Sequence, residues 1–67
     1  MSTLSTFEVE FEVNKRKFPA KIKHEVILDG INRFTITCHS IVVRGEDSYD
    51  KREALDSAIS NIIQKLR

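Results

Sequence analysis

The sequence predicts an α+β fold, a three-stranded antiparallel meander with one C-terminal helix packed on one face. Three observations point there. Phe7-Glu8-Val9-Glu10-Phe11-Glu12-Val13 alternates apolar and acidic side chains without interruption. Strand side chains point to opposite faces with period two, so this segment is a strand with one dry side. Two later stretches, Phe18 to Leu28 and Arg33 to Val43, carry their own alternation. Near the other end, Leu55, Ala58, Ile59, Ile62 and Leu66 fall at i, i+3, i+4, i+7 and i+11, the apolar stripe of an amphipathic helix.

Residues 1–5 read as a tail, and the first strand follows with Phe7, Val9, Phe11 and Val13 inward and Glu8, Glu10 and Glu12 outward. A four-residue turn over Asn14 to Lys17 sets Val13 opposite Phe18 and Phe11 opposite Ala20. In that register Glu10 faces Lys21 and Glu8 faces Lys23, each pair contributing about 0.2 to 1 kcal/mol. The acidic block and the basic block that follows it, Lys15, Arg16, Lys17, Lys21 and Lys23, thereby explain one another. Pro19 stands near the start of the second strand, where a missing ladder donor is tolerated.

Asp29-Gly30 is the strongest turn signal in the chain. Parity excludes a two-residue turn there, which would set Glu25 opposite Phe34. A three- or five-residue loop keeps apolar faces together, and the longer one, through Ile31 and Asn32, is preferred. The third strand then runs from Arg33 to Val43 with Phe34, Ile36, Cys38 and Val42 inward. Asp50 and Glu53 have capping-box spacing at the helix start, with Ser48 as a competing cap. A short link, Arg44 to Ser48, places the helix start at the end where the third strand stops.

At 67 residues the chain forms one small domain, residues 1–67, which buries only about 60% of the surface of its unfolded chain. Cys38 is the single cysteine, so an internal disulfide is excluded and a reducing, cytoplasmic setting is expected. No signal-peptide pattern and no membrane-length apolar run stands in the sequence, so no membrane partner is expected. The formal charge of +1 provides no general pull toward nucleic acid.

Candidates for chemistry are few. His24 and Cys38 share the inward parity and sit opposite one another in the five-residue-loop register, while His39 points outward. Two ligands are too few for a structural zinc site. All acids fall on polar faces or loops, and Gly30 and Gly45 are isolated, so no phosphate loop is present. The expectation is a protein that is not an enzyme, with no catalytic residue, metal or cofactor.

Two binding surfaces suggest themselves. Lys15, Arg16 and Lys17 in the first turn, Arg44 at the end of the third strand, and Lys51 and Arg52 at the helix start fall at one pole of a three-stranded meander. A helix N-terminus there adds backbone donors suited to phosphate. The segment Arg44-Gly45-Glu46-Asp47-Ser48-Tyr49-Asp50-Lys51-Arg52-Glu53-Ala54-Leu55-Asp56-Ser57-Ala58 resembles the third strand and final helix of double-stranded-RNA-binding domains. The resemblance implies that Lys51 and Arg52 match basic positions contacting phosphates and that Ala54 and Ala58 are packing alanines. Leu55 stands at the third basic position, and the family's first helix has no counterpart before Phe7. Affinity for nucleic acid would then fall steeply with salt.

The second surface is apolar. Ile27, Ile41 and Val43 have the outward parity, and the third strand, with Thr35, Thr37 and His39 on its outer side, offers for strand addition, from Thr35 through Val43, an edge with no proline and His39 as its one ionisable side chain. The function expected first is that of a small non-catalytic intracellular binding or regulatory protein, an accessory or inhibitory protein of bacterial or phage type. It would act through a protein partner or a second copy of itself at that edge. A reduced double-stranded nucleic-acid-binding module using the basic pole is the alternative.

Overall fold

The structure, a computed structural model, describes residues 3–67. Four strands and one helix follow in the order β1 (Thr3–Val13), β2 (Arg16–Ile27), β3 (Ile31–Cys38), β4 (Ile41–Arg44) and α1 (Lys51–Leu66). The sheet is an antiparallel meander of order β1-β2-β3-β4. The α+β class stands, and the strand count is corrected from three to four. The predicted tail is corrected as well, because β1 begins at Thr3; Met1 and Ser2 lie outside the described residues.

The turns account for each departure in register. Asn14 and Lys15 both take positive φ, 53° and 65°, as the type I′ two-residue hairpin turn requires. Val13 therefore pairs with Arg16, Phe11 with Phe18, and Phe7 with Ile22. Relative to the expected four-residue turn the partners shift by two, which preserves the faces and changes the charge pairs. Glu8 now opposes Lys21, Glu12 opposes Lys17, and Glu10 opposes Pro19.

Between β2 and β3 the loop is the shorter one, Leu28–Gly30, with Asp29 at φ 59° and Gly30 at φ 81°. Ile27 pairs with Ile31 and His24 with Phe34. His24 and Cys38 are consequently not opposite. The imidazole instead stacks on the Phe34 ring, with centroids 4.4 Å apart.

The expected third strand is two strands. His39 takes φ 56° and with Ser40 reverses the chain, so that Cys38 pairs with Ile41 and Ile36 with Val43. A two-residue turn pairs residues of opposite parity, so inward positions pass from even to odd numbers. Val43 is buried and Ile41 packs against the core, while Val42 is 62% exposed. The assignment of Ile41 and Val43 to the outer face, and of Val42 to the inner one, is corrected on this ground.

The helix is capped as predicted, with an Asp50 carboxylate oxygen accepting from the amides of Arg52 at 3.0 Å and Glu53 at 3.4 Å. Its innermost line is Ala54, Ala58 and Ile62, all fully buried. Leu55, Ile59, Ile63 and Leu66 are only half-buried. The backbones come close where an ideal Cβ on Gly45 would lie 2.6 Å from the Ala54 carbonyl oxygen and 2.6 Å from the Ala58 nitrogen. The core joins these helix residues to Ala20, Ile22, Phe34, Ile36, Cys38 and Val43.

Candidate functional site

The extra reversal at His39 and Ser40 moves the start of the helix to the other pole. After β4 the chain runs back beside β3, where Asn32 and Ser48 exchange backbone hydrogen bonds of 2.7 and 3.1 Å. Asn32, itself buried, donates from Nδ2 to the carbonyls of Ser48 and Tyr49, each at 3.2 Å. Those two carbonyls fix which end of the amide is the donor. Asn32 Oδ1 is therefore an acceptor, and His24 Nε2, 2.8 Å away, donates to it. This network ties the helix entry to the end of the sheet where β2 turns into β3.

The six basic residues expected at one pole consequently divide. Lys15, Arg16 and Lys17 are exposed at the tip of the first hairpin. Lys51 and Arg52 begin the helix, beside Asn32, which pairs with Val26. From Arg16 to Val26 a strand rises about 33 Å. Arg44 belongs to neither end, because it lies on the outer face opposite Thr35.

The expected protein-binding edge is also corrected, since β4 pairs along β3 from Thr35 to Cys38. Thr35 and Thr37 face outward on an inner strand, and Ile27 is half-buried opposite Ile31. His39 is exposed in the turn, edge-on to Phe18 with ring centroids 6.5 Å apart. The free edges of the sheet are β1 and β4.

Two surfaces emerge in place of those expected. The first is a strip of the inner face left open. Four strands occupy about 19 Å across and one helix with its side chains about 10 to 12 Å, so a single helix covers little more than half. The helix packs chiefly on β3 and β4, with a smaller contact to β1. Its polar flank is anchored at the β4 side, where Ser57 Oγ accepts from the Glu46 amide at 3.0 Å and Asn61 Nδ2 donates to the Arg44 carbonyl at 3.0 Å. Leu55, Ile59 and Ile63 lie about 100° from the Ala54-Ala58-Ile62 line on the opposite flank. That flank overlooks β1 and β2, where Phe7 is 42% exposed and Val9 and Val26 are half-buried.

The second surface is the outer face, which carries no helix. The registers of the three strand pairs align Thr6, Lys23, Thr35 and Arg44 in one row across the sheet, and Glu8, Lys21, Thr37 and Val42 in the next. Seven of these eight residues, Glu8 excepted, line a shallow basin of about 390 Å³ together with Glu25. Beside it, Arg33 makes a bidentate pair with Asp47, Nε to Oδ1 at 3.0 Å and Nη2 to Oδ2 at 2.9 Å. The guanidinium holds the Asp47 carboxyl below the usual carboxylate range, chiefly by hydrogen bonding, and Arg33 is raised by the same contact.

Cys38 is fully buried, and among the described residues no group of three or more His, Cys, Asp or Glu gathers at a metal-binding distance. No helix among them is long and apolar enough to cross a membrane. Comparison with protein-family models, with curated proteins and with solved structures returned no match.

Neither surface was visible as such in the sequence. Phe7, Leu55 and Ile59 were assigned to a closed core. The signal for the missed turn was the parity change itself, from Phe34, Ile36 and Cys38 to Ile41 and Val43, across a histidine, a residue type enriched at positive φ.

Proposed function

We propose that this chain is a small non-catalytic binding protein that works through protein contacts, and that its first partner is a second copy of itself. The observation that carries this reading is the open apolar strip between the Leu55-Ile59-Ile63 flank and β1-β2. Each copy has both a ridge, the helix flank, and beside it a strip about 7 to 9 Å wide. A two-fold axis can set each ridge on the other copy's strip, the self-complementarity that an isologous dimer needs.

The surface area supports the reading. The chain exposes 4886 Å² for a mass of 7.7 kDa, against about 4300 Å² for a compact monomer of that mass. Its radius of gyration is 11.9 Å, against about 10.9 Å from the size scaling of single domains. An excess of roughly 550 Å² approaches the 800 Å² or so that each partner contributes to a standard interface.

Sedimentation equilibrium across the micromolar range tests it. The expected result is a dimer that Ile59→Lys converts to a monomer, with the circular dichroism of the folded chain retained. A wild-type chain that stays monomeric throughout that range would refute the proposal.

A further inference from the structure

We propose that the outer face of the sheet binds a compact phosphate-bearing ligand at Lys23, Thr35 and Arg44. The three stand in one row on neighbouring strands, so the two cations bracket the hydroxyl with their Cα atoms about 10 Å apart. Lys21 and Thr37 stand beside them in the adjacent row, and all five line the basin. A lysine, a hydroxyl and a guanidinium side by side on three strands offer three kinds of donor to one anion, with a fork suited to two of its oxygens.

Three cations, Lys21, Lys23 and Arg44, line the basin against one carboxylate, Glu25. Asp47 is held by both nitrogens of the Arg33 fork. Lys23 Nζ is 3.9 Å from Glu25, too long for a hydrogen bond and exposed enough to be worth little. Among the described residues Arg44 and Lys21 make no ion pair. The Arg44 backbone is meanwhile fixed, since its carbonyl accepts from Asn61.

The surroundings select a small ligand over a polymer. Glu8, Glu10 and Glu12 line the outer side of β1, so a long polyanion crossing the sheet would run over three carboxylates. The aromatic side chains among the described residues are Phe7, Phe11, Phe18 and Phe34 on the inner face and Tyr49 in the β4-α1 connection. The outer face thus has no platform for stacking bases.

Titration of the uniformly labelled chain with pyrophosphate, followed by amide chemical shifts, tests the assignment. Shifts are expected at Lys21 to Glu25, Thr35 to Thr37 and Val42 to Arg44. Arg44→Gln and Lys23→Gln should each weaken binding about tenfold, the loss expected for one charge-assisted contact, with the remaining amide spectrum unchanged. Shifts centred instead on Lys15 to Lys17 or on Lys51 and Arg52, or affinity indifferent to Arg44→Gln, would overturn the proposal. So would tighter binding of a short nucleic-acid duplex or of an acidic peptide than of pyrophosphate. The strip proposed for self-association lies on the other face, so Ile59→Lys leaves this titration as a separate test.

Discussion

Gly45 offers the sharpest test of how the helix sits on the sheet. In Gly45→Ala the new Cβ would lie 2.6 Å from the Ala54 oxygen, 2.6 Å from the Ala58 nitrogen and 2.9 Å from the Ala58 Cβ. Two of these neighbours are backbone atoms of a regular helix, which cannot rotate away. Reaching ordinary contact at 3.4 Å requires the helix to withdraw by about 0.8 Å, the difference between those two distances. A gap of 0.5 to 1 Å forfeits about a quarter to a half of each dispersion contact it opens. The contacts at risk are those of Ala54, Ala58 and Ile62, each 0% exposed.

Overpacking of this kind costs about 3 kcal/mol, against a total stability of about 3 to 10 kcal/mol for a chain this long. The melting temperature should fall by about 12 to 24 °C, measured by thermal and urea unfolding followed by circular dichroism. Gly30→Ala is the control. Gly30 has φ 81° and nothing within 4 Å of a new Cβ, so the cost there is backbone strain alone, about 1 to 2 kcal/mol. A Gly45→Ala protein within about 1 kcal/mol of the parent, or one more stable than Gly30→Ala, would refute the close helix-sheet approach.

Two further predictions concern the polar groups around the helix entry. Asn32→Leu should cost about 2 kcal/mol in urea unfolding, because it strands the Tyr49 carbonyl and the His24 Nε2-H and leaves the Ser48 carbonyl only its backbone bond from residue 32; a neutral substitution would show that the network does not anchor the helix. For Asp47, the Arg33 contact sets the folded pKa below the unfolded 3.8, so its stabilisation is present above the unfolded value and lost as pH falls through the folded one. The parent urea midpoint should therefore drop more steeply below about pH 4 than that of Asp47→Asn, and parallel curves for the two proteins would sink the pairing argument.

Much of the fold was legible because its signals are local. The alternation from Phe7 to Val13 read correctly as one strand, the even positions of β2 and β3 read correctly as inward, and Asp50 caps the helix where its spacing to Glu53 placed it. The parity rule that excluded a two-residue loop at Asp29-Gly30 was sound, and the same rule applied at His39-Ser40 reveals β4. That turn carries no compositional signal, because neither residue belongs to the Gly-rich vocabulary of hairpins. Lys15, likewise, is an uncommon residue at positive φ, and with it went the register of the first hairpin.

By itself, then, the sequence determined which segments extend, which one coils, and which side of each is apolar, since those properties repeat within a few residues along the chain. Tertiary structure alone decided how many times the sheet folds back, which pole receives the helix, and how much of the inner face stays open. A single added reversal separated the basic groups by the length of a strand, brought Lys23, Thr35 and Arg44 into one row, and widened the sheet beyond what one helix can cover. The physical reason is that such alignments depend on turn conformation and on the relative widths of packed elements, neither of which is written in the period of any one segment.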